Sequence, residues 1–284
     1  IFPDARHVYY FEFYYHGSGS DMGFDPEFPV TLDDRLKVRV KNATQLLGLA
    51  AADQGLSPTL WQRQQFPAEF AAKLRVIHEG VDTAVVRPDG TARVQVDGQS
   101  FKPGDEVVTY VARNLEPYRG FHVFMRALPA ILAARPQAHV LVVGGDEVSY
   151  GRRLPDGKTY RALYRDELAE RVDWSRVHFL GKVPYADFLR ILQVSAAHVY
   201  LTYPFVLSWS MLEAMSAGCA LIASATPPVQ EVVRDGDNGL LVDFFDIEGL
   251  AQAVVRVLAE PDAFRAMRAR ARQTIVDDYD LETR

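Results

Sequence analysis

The sequence predicts an α/β protein whose larger part is a doubly wound parallel sheet. Three observations carry this reading. From Glu106 onward, short apolar runs alternate with segments of helical spacing. The runs, such as Val107-Val-Thr-Tyr-Val-Ala112 and Ala138-His-Val-Leu-Val-Val143, are apolar almost throughout, as in strands covered on both faces. At 284 residues, 48% of them hydrophobic and 24% charged, the chain can bury a large core and is long enough for two domains.

The elements follow in order. Residues 1–16, with the aromatic run Val8-Tyr-Tyr-Phe-Glu-Phe-Tyr-Tyr15, read as a buried strand ending near His16. Gly17 to Pro29 is a polar, glycine-bearing loop, and Leu36 to Ala52 has helical spacing that stops before Gly55-Leu-Ser-Pro58. Phe66 to Ile77 reads as a short helix and then a strand, and His78-Glu-Gly-Val-Asp-Thr83 as a linker. Ala92 to Phe101 alternates around Asp97-Gly98, which predicts a hairpin. Strands are expected at 107–112, 138–143, 177–180, 197–202, 219–223 and 239–242. Helices are expected at 121–134 (kinked at Pro129), 162–171, 185–193, 210–217, 247–259 and from Pro261 onward. A polar insertion, Ser149 to Lys158, interrupts the alternation.

The formal net charge of −6 argues against nucleic acid as a main partner, because neutralising phosphates needs a basic surface. Cys219 is the only cysteine, so no intrachain disulfide can form and a reducing, cytoplasmic setting is expected, including the inner face of the membrane. No run is long and apolar enough to span a bilayer. The chain starts at Ile1 and goes almost at once into a strand, which sets the expectation of a fragment lacking earlier N-terminal sequence and any targeting signal in it.

In an open α/β sheet, ligands bind beyond the carboxyl ends of the strands, so three strand-to-helix loops are the candidate sites. Arg113-Asn-Leu-Glu-Pro-Tyr-Arg-Gly120 offers two arginines beside a helix start, a combination suited to a diphosphate; its structural alternative is a surface loop with Arg113 paired to Glu116. Pro204-Phe-Val-Leu-Ser-Trp-Ser210 enters a helix that Ser208 or Ser210 can cap. Glu213, near the start of that helix, either accepts two ribose hydroxyls or stabilises the helix start. In Ser224-Ala-Thr-Pro-Pro-Val-Gln-Glu231, Glu231 either touches a ligand or starts a short helix.

Four stretches occur together in order: Val111-Ala-Arg-Asn-Leu-Glu-Pro-Tyr-Arg-Gly120, Val177-His-Phe-Leu-Gly-Lys-Val183, Leu212-Glu-Ala-Met-Ser-Ala-Gly218 and Glu231-Val-Val-Arg-Asp-Gly-Asp-Asn-Gly-Leu-Leu-Val242. As a set they resemble the donor-binding half of family 4 (group 1) retaining glycosyltransferases of GT-B fold. The match runs from about residue 74 to the end, and residues 1–73 resemble the last part of that family's N-terminal domain. The resemblance implies a partial N-terminal Rossmann-like, acceptor-side domain over 1–80 and a Rossmann-like nucleotide-sugar domain over 81–260, with the hairpin as an insertion. It also implies a C-terminal helix over 261–284 packing back toward the N-terminal part.

The same resemblance assigns the diphosphate to Arg113 and Arg119 (the family usually has Lys at the second place), the ribose to Glu213, and the phosphates to the backbone N–H groups of Ser208, Trp209 and Ser210. The loop Gly181 to Val183 would lie near the base, with Glu231 also on the donor side. It implies a UDP- or GDP-linked sugar as co-substrate, a glycan, lipid-linked or small-molecule hydroxyl acceptor, and no required metal. The family pattern is Glu-x7-Glu, and Phe205 stands where its first Glu, the residue facing the transferred sugar, would be. That departure implies an apolar contact to the donor sugar, a substitute acid, or a weakened enzyme.

On the acceptor side Glu12 and His16, at the end of the first strand, are the candidate catalytic groups, set against an unremarkable surface histidine and a carboxylate costly to bury unpaired. Asp235-Gly-Asp237 matches an Asp-x-Asp metal motif but lacks further ligands at the right spacing, and a glycine-bearing turn is the better reading. Asn42-Ala-Thr44 is a sequon inside a helix. Arg265 to Arg272 is either a lipid-facing basic patch, giving peripheral membrane contact, or a solvated helix face. The reading is therefore a glycosyltransferase of glycan or cell-envelope polysaccharide synthesis, with a non-catalytic nucleotide-sugar-binding or scaffold protein of the same fold as its rival. A dehydrogenase is disfavoured because no Gly-x-Gly-x-x-Gly follows a strand.

Overall fold

The structure, a computed structural model, describes residues 5–283. Residues 1–4 of the expected first strand lie outside the described residues. The chain divides into two compact units: Ile1–Glu79 with Tyr203–Leu207 and Thr226–Val232, and Gly80–Thr202 with Ser208–Ala225 and Val233–Arg284.

The first unit is a small parallel sheet of β1 (Val8–Tyr10), β2 (Gln54–Ser57) and β3 (Leu74–Val76), in that order, with helices α1 (Leu32–Ala51) and α2 (Leu60–Gln64). β1 is shorter than expected and its three residues are exposed rather than buried. The pairing stops because β2 is followed by Pro58, which has no N–H to extend the ladder. One further bond, from the Phe11 N–H to the Leu56 carbonyl, closes the register, and the chain then leaves the sheet. The buried side chains come from beyond the strand: Phe11 joins Leu49, Ala52, Phe66 and Leu74 in the core. α1 starts earlier than Leu36 because Thr31 and Asp34 form a reciprocal capping box, each side chain accepting the other's backbone N–H. Asn42 of the sequon is buried within this helix, its amide exchanging bonds with the Tyr15 backbone.

The second unit opens with the expected hairpin, β4 (Val94–Val96) and β5 (Gln99–Phe101), turning through Asp97 and Gly98 at φ of 49° and 79°. Its larger sheet comprises β6 (Val107–Asn114), β7 (His139–Gly145), β8 (Val177–Gly181), β9 (Ala197–Tyr200), β10 (Ala220–Ser224) and β11 (Leu240–Val242). The helices that connect them are α3 (Phe121–Ala134, one helix with Pro129 inside it), α4 (Tyr160–Glu167), α5 (Tyr185–Val194) and α6 (Trp209–Ser216). The short α7 (Pro227–Gln230) falls in the first unit, and α8 (Ile247–Ala259) and α9 (Arg265–Asp278) end the chain.

All strand pairs of this sheet are parallel, in the order β8-β7-β6-β9-β10-β11. The order reverses direction between β6 and β9, and that reversal opens a crevice at their carboxyl ends. The hairpin packs Ala92, Val96 and Phe101 against Val107, Leu141 and Ile191, and Asp97 accepts a bond from the buried His178 (2.8 Å). The arginines of α9 are neither a free basic patch nor a wholly solvated face. Arg268 donates to the Gly218 carbonyl, and Arg272 to the carbonyls of Thr83, Val86 and Ser216. Among the described residues no helix is long and apolar enough to cross a membrane.

His198 of β9 is fully buried, with Nδ1 at 2.8 Å from Thr109 Oγ1 and Nε2 without a hydrogen-bond partner. Burial pushes its pKa down to about 3. Between that value and the unfolded value near 6.5 the unfolded chain binds more protons. The stabilising contribution is therefore complete above about 6.5 and is lost as pH falls. Urea denaturation at pH 7 and pH 5 should give a lower midpoint at pH 5, with a slope approaching ~1.4 kcal/mol per pH unit from this one group. His198→Gln should flatten that dependence; an unchanged slope would remove His198 as its cause.

Candidate functional site

The carboxyl end of β6 reaches further than the sequence predicts, so Arg113 sits in the strand rather than in the loop after it. The register with β7 is irregular between Val111 and Asn114, and Arg113 points to solvent. The alternative pair with Glu116 does not form. Glu116 turns inward, is 1% exposed, and accepts the backbone N–H groups of Ser149, Tyr150 and Gly151 at 2.9, 3.1 and 2.8 Å. A carboxylate holding three converging N–H groups fixes both its own side chain and the start of the polar insertion. Asn114 adds a bond from Nδ2 to Ser149 Oγ (2.7 Å).

From Glu116 the chain makes a tight turn, Pro117–Arg119, closed by Gly120 at φ 68°. Gly120 is required twice over, by that left-handed backbone and by Leu201, whose Cβ would lie 2.4 Å from any side chain there. The turn delivers Arg119 into the crevice between β6 and β9. Its guanidinium is buried, donating from Nη1 to Thr202 Oγ1 (2.8 Å) and to the Tyr200 hydroxyl (3.2 Å), with the Tyr150 ring 5.4 Å away. The Tyr110 hydroxyl holds the Arg119 carbonyl (2.7 Å). Burial works against the charge, but Tyr200, Tyr150 (which also hydrogen bonds the side chain) and Tyr110 together raise the pKa, so the cation is permanent.

The Tyr200 hydroxyl also accepts the Ser208 N–H (2.8 Å), and Ser208 is the N-cap of α6. Arg119 is thereby tied through one hydroxyl to the helix that carries Glu213. The N–H groups expected to face phosphates are partly spent in this cap: that of Ser208 on Tyr200 and that of Ser210 on Ser208 Oγ (3.4 Å). Trp209 is 55% exposed. Glu213 lies in the second turn of α6, not the first. It accepts the Tyr185 hydroxyl (2.8 Å), and burial raises its pKa while that bond lowers it. Gly181 ends β8 at φ 65° with open space around it, and Val183 packs against the hairpin core. Between them Lys182 pairs with Glu147 (2.8 Å).

Two predicted donor residues lie in the first unit and serve its packing. Phe205 is 1% exposed, with its ring 4.8 Å from Phe13 in an edge-on contact and 6.0 Å from Tyr15. Glu231 accepts the N–H groups of Leu60 and Trp61 at 2.7 and 2.8 Å, so it caps α2 from outside instead of starting a helix. Glu12 is exposed rather than buried, and its carbonyl accepts the Gln62 amide (2.6 Å). His16 donates from Nε2 to the Gln65 carbonyl (2.9 Å). The acids buried in this unit are instead Asp21 and Asp25, the latter accepting the Tyr203 hydroxyl (2.7 Å). Asp235 and Asp237 of the Asp-x-Asp match accept the Leu241 N–H and pair with Arg234 and Arg270, as turn residues do.

Comparison with known proteins agrees with this architecture. Residues 94–274 match the family described as glycosyl transferases group 1, and residues 1–86 match the glycosyl transferase family 4 group. The chain belongs to the glycosyl transferases group 1. Among curated relatives, a D-inositol 3-phosphate glycosyltransferase from Nocardioides sp. is 30% identical over 224 residues, covering 76% of this chain and 48% of that protein. The chain spans about half the length of the curated relatives it matches. Sucrose-phosphate synthase from Thermosynechococcus elongatus superposes with a TM-score of 0.71 at 23% identity, over 93% of this chain and 63% of that one. HepE from Anabaena, solved in complex with UDP and glucose, gives 0.70 at 18%, over 98% and 68%. These likenesses establish the GT-B-type α/β fold for this group 1 member.

Sequence reasoning missed Glu116 as an anchor and Tyr150, Tyr200, Thr202 and Tyr185 as neighbours of the site. Glu116 and Thr202 lay where the strand-end rule pointed, in the segments after β6 and β9. For Glu213, a raised folded pKa means that its stabilising contribution is complete below the unfolded value and is lost as pH rises through the folded one. Glu213→Gln should therefore leave thermal stability at pH 7.5 equal or slightly higher. The same variant should weaken UDP or GDP binding about tenfold by calorimetry; unaltered binding of both nucleotides would remove Glu213 from the site.

Proposed function

We propose that the protein is a retaining glycosyltransferase moving a sugar from a UDP- or GDP-linked donor to a hydroxyl of a glycan, lipid-linked or small-molecule acceptor, in glycan or cell-envelope polysaccharide synthesis. The observation that carries this is the fixed Arg119 cation at the β6–β9 crevice, tied through Tyr200 to the cap of the helix bearing Glu213. An exposed Arg113 at the carboxyl end of β6 supplies a second charge. The named acceptor of the Nocardioides relative and the UDP and glucose bound by HepE support the same chemistry.

In this reading Arg113 and Arg119 stabilise the diphosphate as its bond to the sugar breaks, and Glu213 orients the ribose. The two cations serve where a metal ion would otherwise offset the leaving-group charge. Residues 1–80 form the acceptor side, 81–260 the donor side, and 261–284 the closing helix, in a cytoplasmic setting that includes the inner membrane face.

Phe205 favours a second reading, a non-catalytic nucleotide-sugar-binding or scaffold protein. The family acid is replaced by a ring committed to aromatic packing. Binding of UDP or GDP by the full-length protein, without transfer or donor hydrolysis, would select it. Restoring the acid is not expected to restore function: Phe205→Glu loses a buried ring and buries a charge. It should destabilise the protein by about 3–5 kcal/mol or more in chemical denaturation. Arg113→Ala, by contrast, should reduce turnover about a hundredfold or more with an unchanged melting temperature. Full turnover in that variant would sink the enzymatic assignment of the site.

A further inference from the structure

Glu116 and Tyr150 have no part in the donor contacts described above, yet the geometry of the insertion joins them to Arg119. The three N–H groups of Ser149, Tyr150 and Gly151 converge on the Glu116 carboxylate as they would on a phosphate oxygen. The site is closed to solvent, since Glu116 is 1% exposed. Gly151 is kept without a side chain next to it; a Cβ there would lie 3.2 Å from Glu116 Oε2. Glu116 therefore sets where Tyr150 begins, and Tyr118, two residues on, meets the Tyr150 ring at 6.1 Å. From that place the Tyr150 ring lies beside the Arg119 guanidinium, which Thr202 and Tyr200 hold from the other element.

The same turn thus carries both ends of the arrangement: Glu116 grips the insertion, and Arg119, three residues later, receives its tyrosine. A guanidinium has many staggered side-chain states of similar energy, and a buried one needs contacts from more than one direction to keep a single pose. Two hydroxyls from the β9 end supply one direction and Tyr150 the other. The insertion is in this sense a brace built from backbone, fastened by the Glu116 carboxylate, with Asn114 adding a bond to the Ser149 hydroxyl. An amide in place of that carboxylate has only one oxygen and turns an NH2 group toward N–H donors, so it cannot hold all three.

We infer that Glu116 and Tyr150 are positioning residues for the diphosphate group of the donor: Glu116 fastens the Ser149–Gly151 segment, and that segment holds Arg119 in its phosphate-facing pose. This rests on the reading of Arg119 as a donor residue. It predicts a specific division of effects. Base and ribose contacts do not pass through Arg119, so loosening the brace weakens recognition of the diphosphate and leaves recognition of the nucleoside alone.

The test is calorimetry on the full-length protein with UDP and GDP, with uridine and guanosine as controls. Glu116→Gln and, separately, Tyr150→Phe are each made in the native background and in an Arg119→Ala background. Tyr150→Phe keeps the ring and the insertion's backbone and removes only the hydroxyl that hydrogen bonds the Arg119 side chain, so it reports on that bond even if Glu116→Gln is poorly folded. Each variant should weaken nucleoside diphosphate binding about tenfold, leave the nucleoside unchanged, and have no further effect once Arg119 is absent. Hydrogen exchange at residues 149–151 should rise in Glu116→Gln alone. Equal losses in both backgrounds, or equal losses for nucleoside and diphosphate, overturn the inference while leaving the donor site standing. Normal UDP and GDP binding by Arg119→Ala itself overturns both.

Discussion

The site in the second unit depends on keeping one charge where the sheet reverses direction. A guanidinium in a buried crevice is costly unless its surroundings are polar and fixed, and here they come from both sides of the reversal. β6 and the turn after it supply the arginine, while the end of β9 and the residues after it supply Tyr200 and Thr202. The tight turn through Gly120, packed against Leu201, brings the arginine to the crevice. Because the Tyr200 hydroxyl also receives the Ser208 N–H, the start of α6 is set by the residue that sets the cation. Charge, strand end and helix start meet at one hydroxyl.

Phe205 shows how a motif gap can be a packing decision. Read against a family pattern, it is a missing acid. In the structure it is an aromatic ring among Phe13, Tyr15 and their neighbour Trp61, which stacks on Phe13 at 5.6 Å. Aromatic rings bury large apolar areas and prefer such edge-on and offset contacts. The short segment Tyr203–Leu207 therefore belongs by its contacts to the first unit, although the chain before and after it belongs to the second. An acid at this position would have to be solvated by the same rings that now exclude water.

The sheet, the hairpin and most helices were legible because their signals are local: apolar runs, helical spacing, and Asp97-Gly98 at a turn that needs positive φ. Where local reasoning failed, a distant residue decided. Pro58 ended β1 from the neighbouring strand. The capping box of Thr31 and Asp34, which moved the start of α1, is by contrast local but lies outside the apolar pattern. The spacing of Arg113 and Glu116 invited a pair, but the strand continues through Arg113 and sends the two side chains apart, one to solvent and one to the insertion 33–35 residues later. Glu231 shows the same limit: the backbone it caps is 170 residues earlier in the chain. Family resemblance pointed to particular loops; only packing could say which side chains in them were already employed.

The last helix has a consequence for how this protein can be cut and fused. Arg272 braces the carbonyls of Thr83, Val86 and Ser216, and Leu281 donates its N–H to the Val81 carbonyl beyond the helix end. The final residues are thus a keystone for the segment by which the chain enters the second unit. A boundary drawn after α8 would leave that entry segment unfastened, with the carbonyls of Val81, Thr83 and Val86 stripped of these donors. Within the described residues, an insertion is best tolerated after Leu281, beyond the contacts that hold the entry segment.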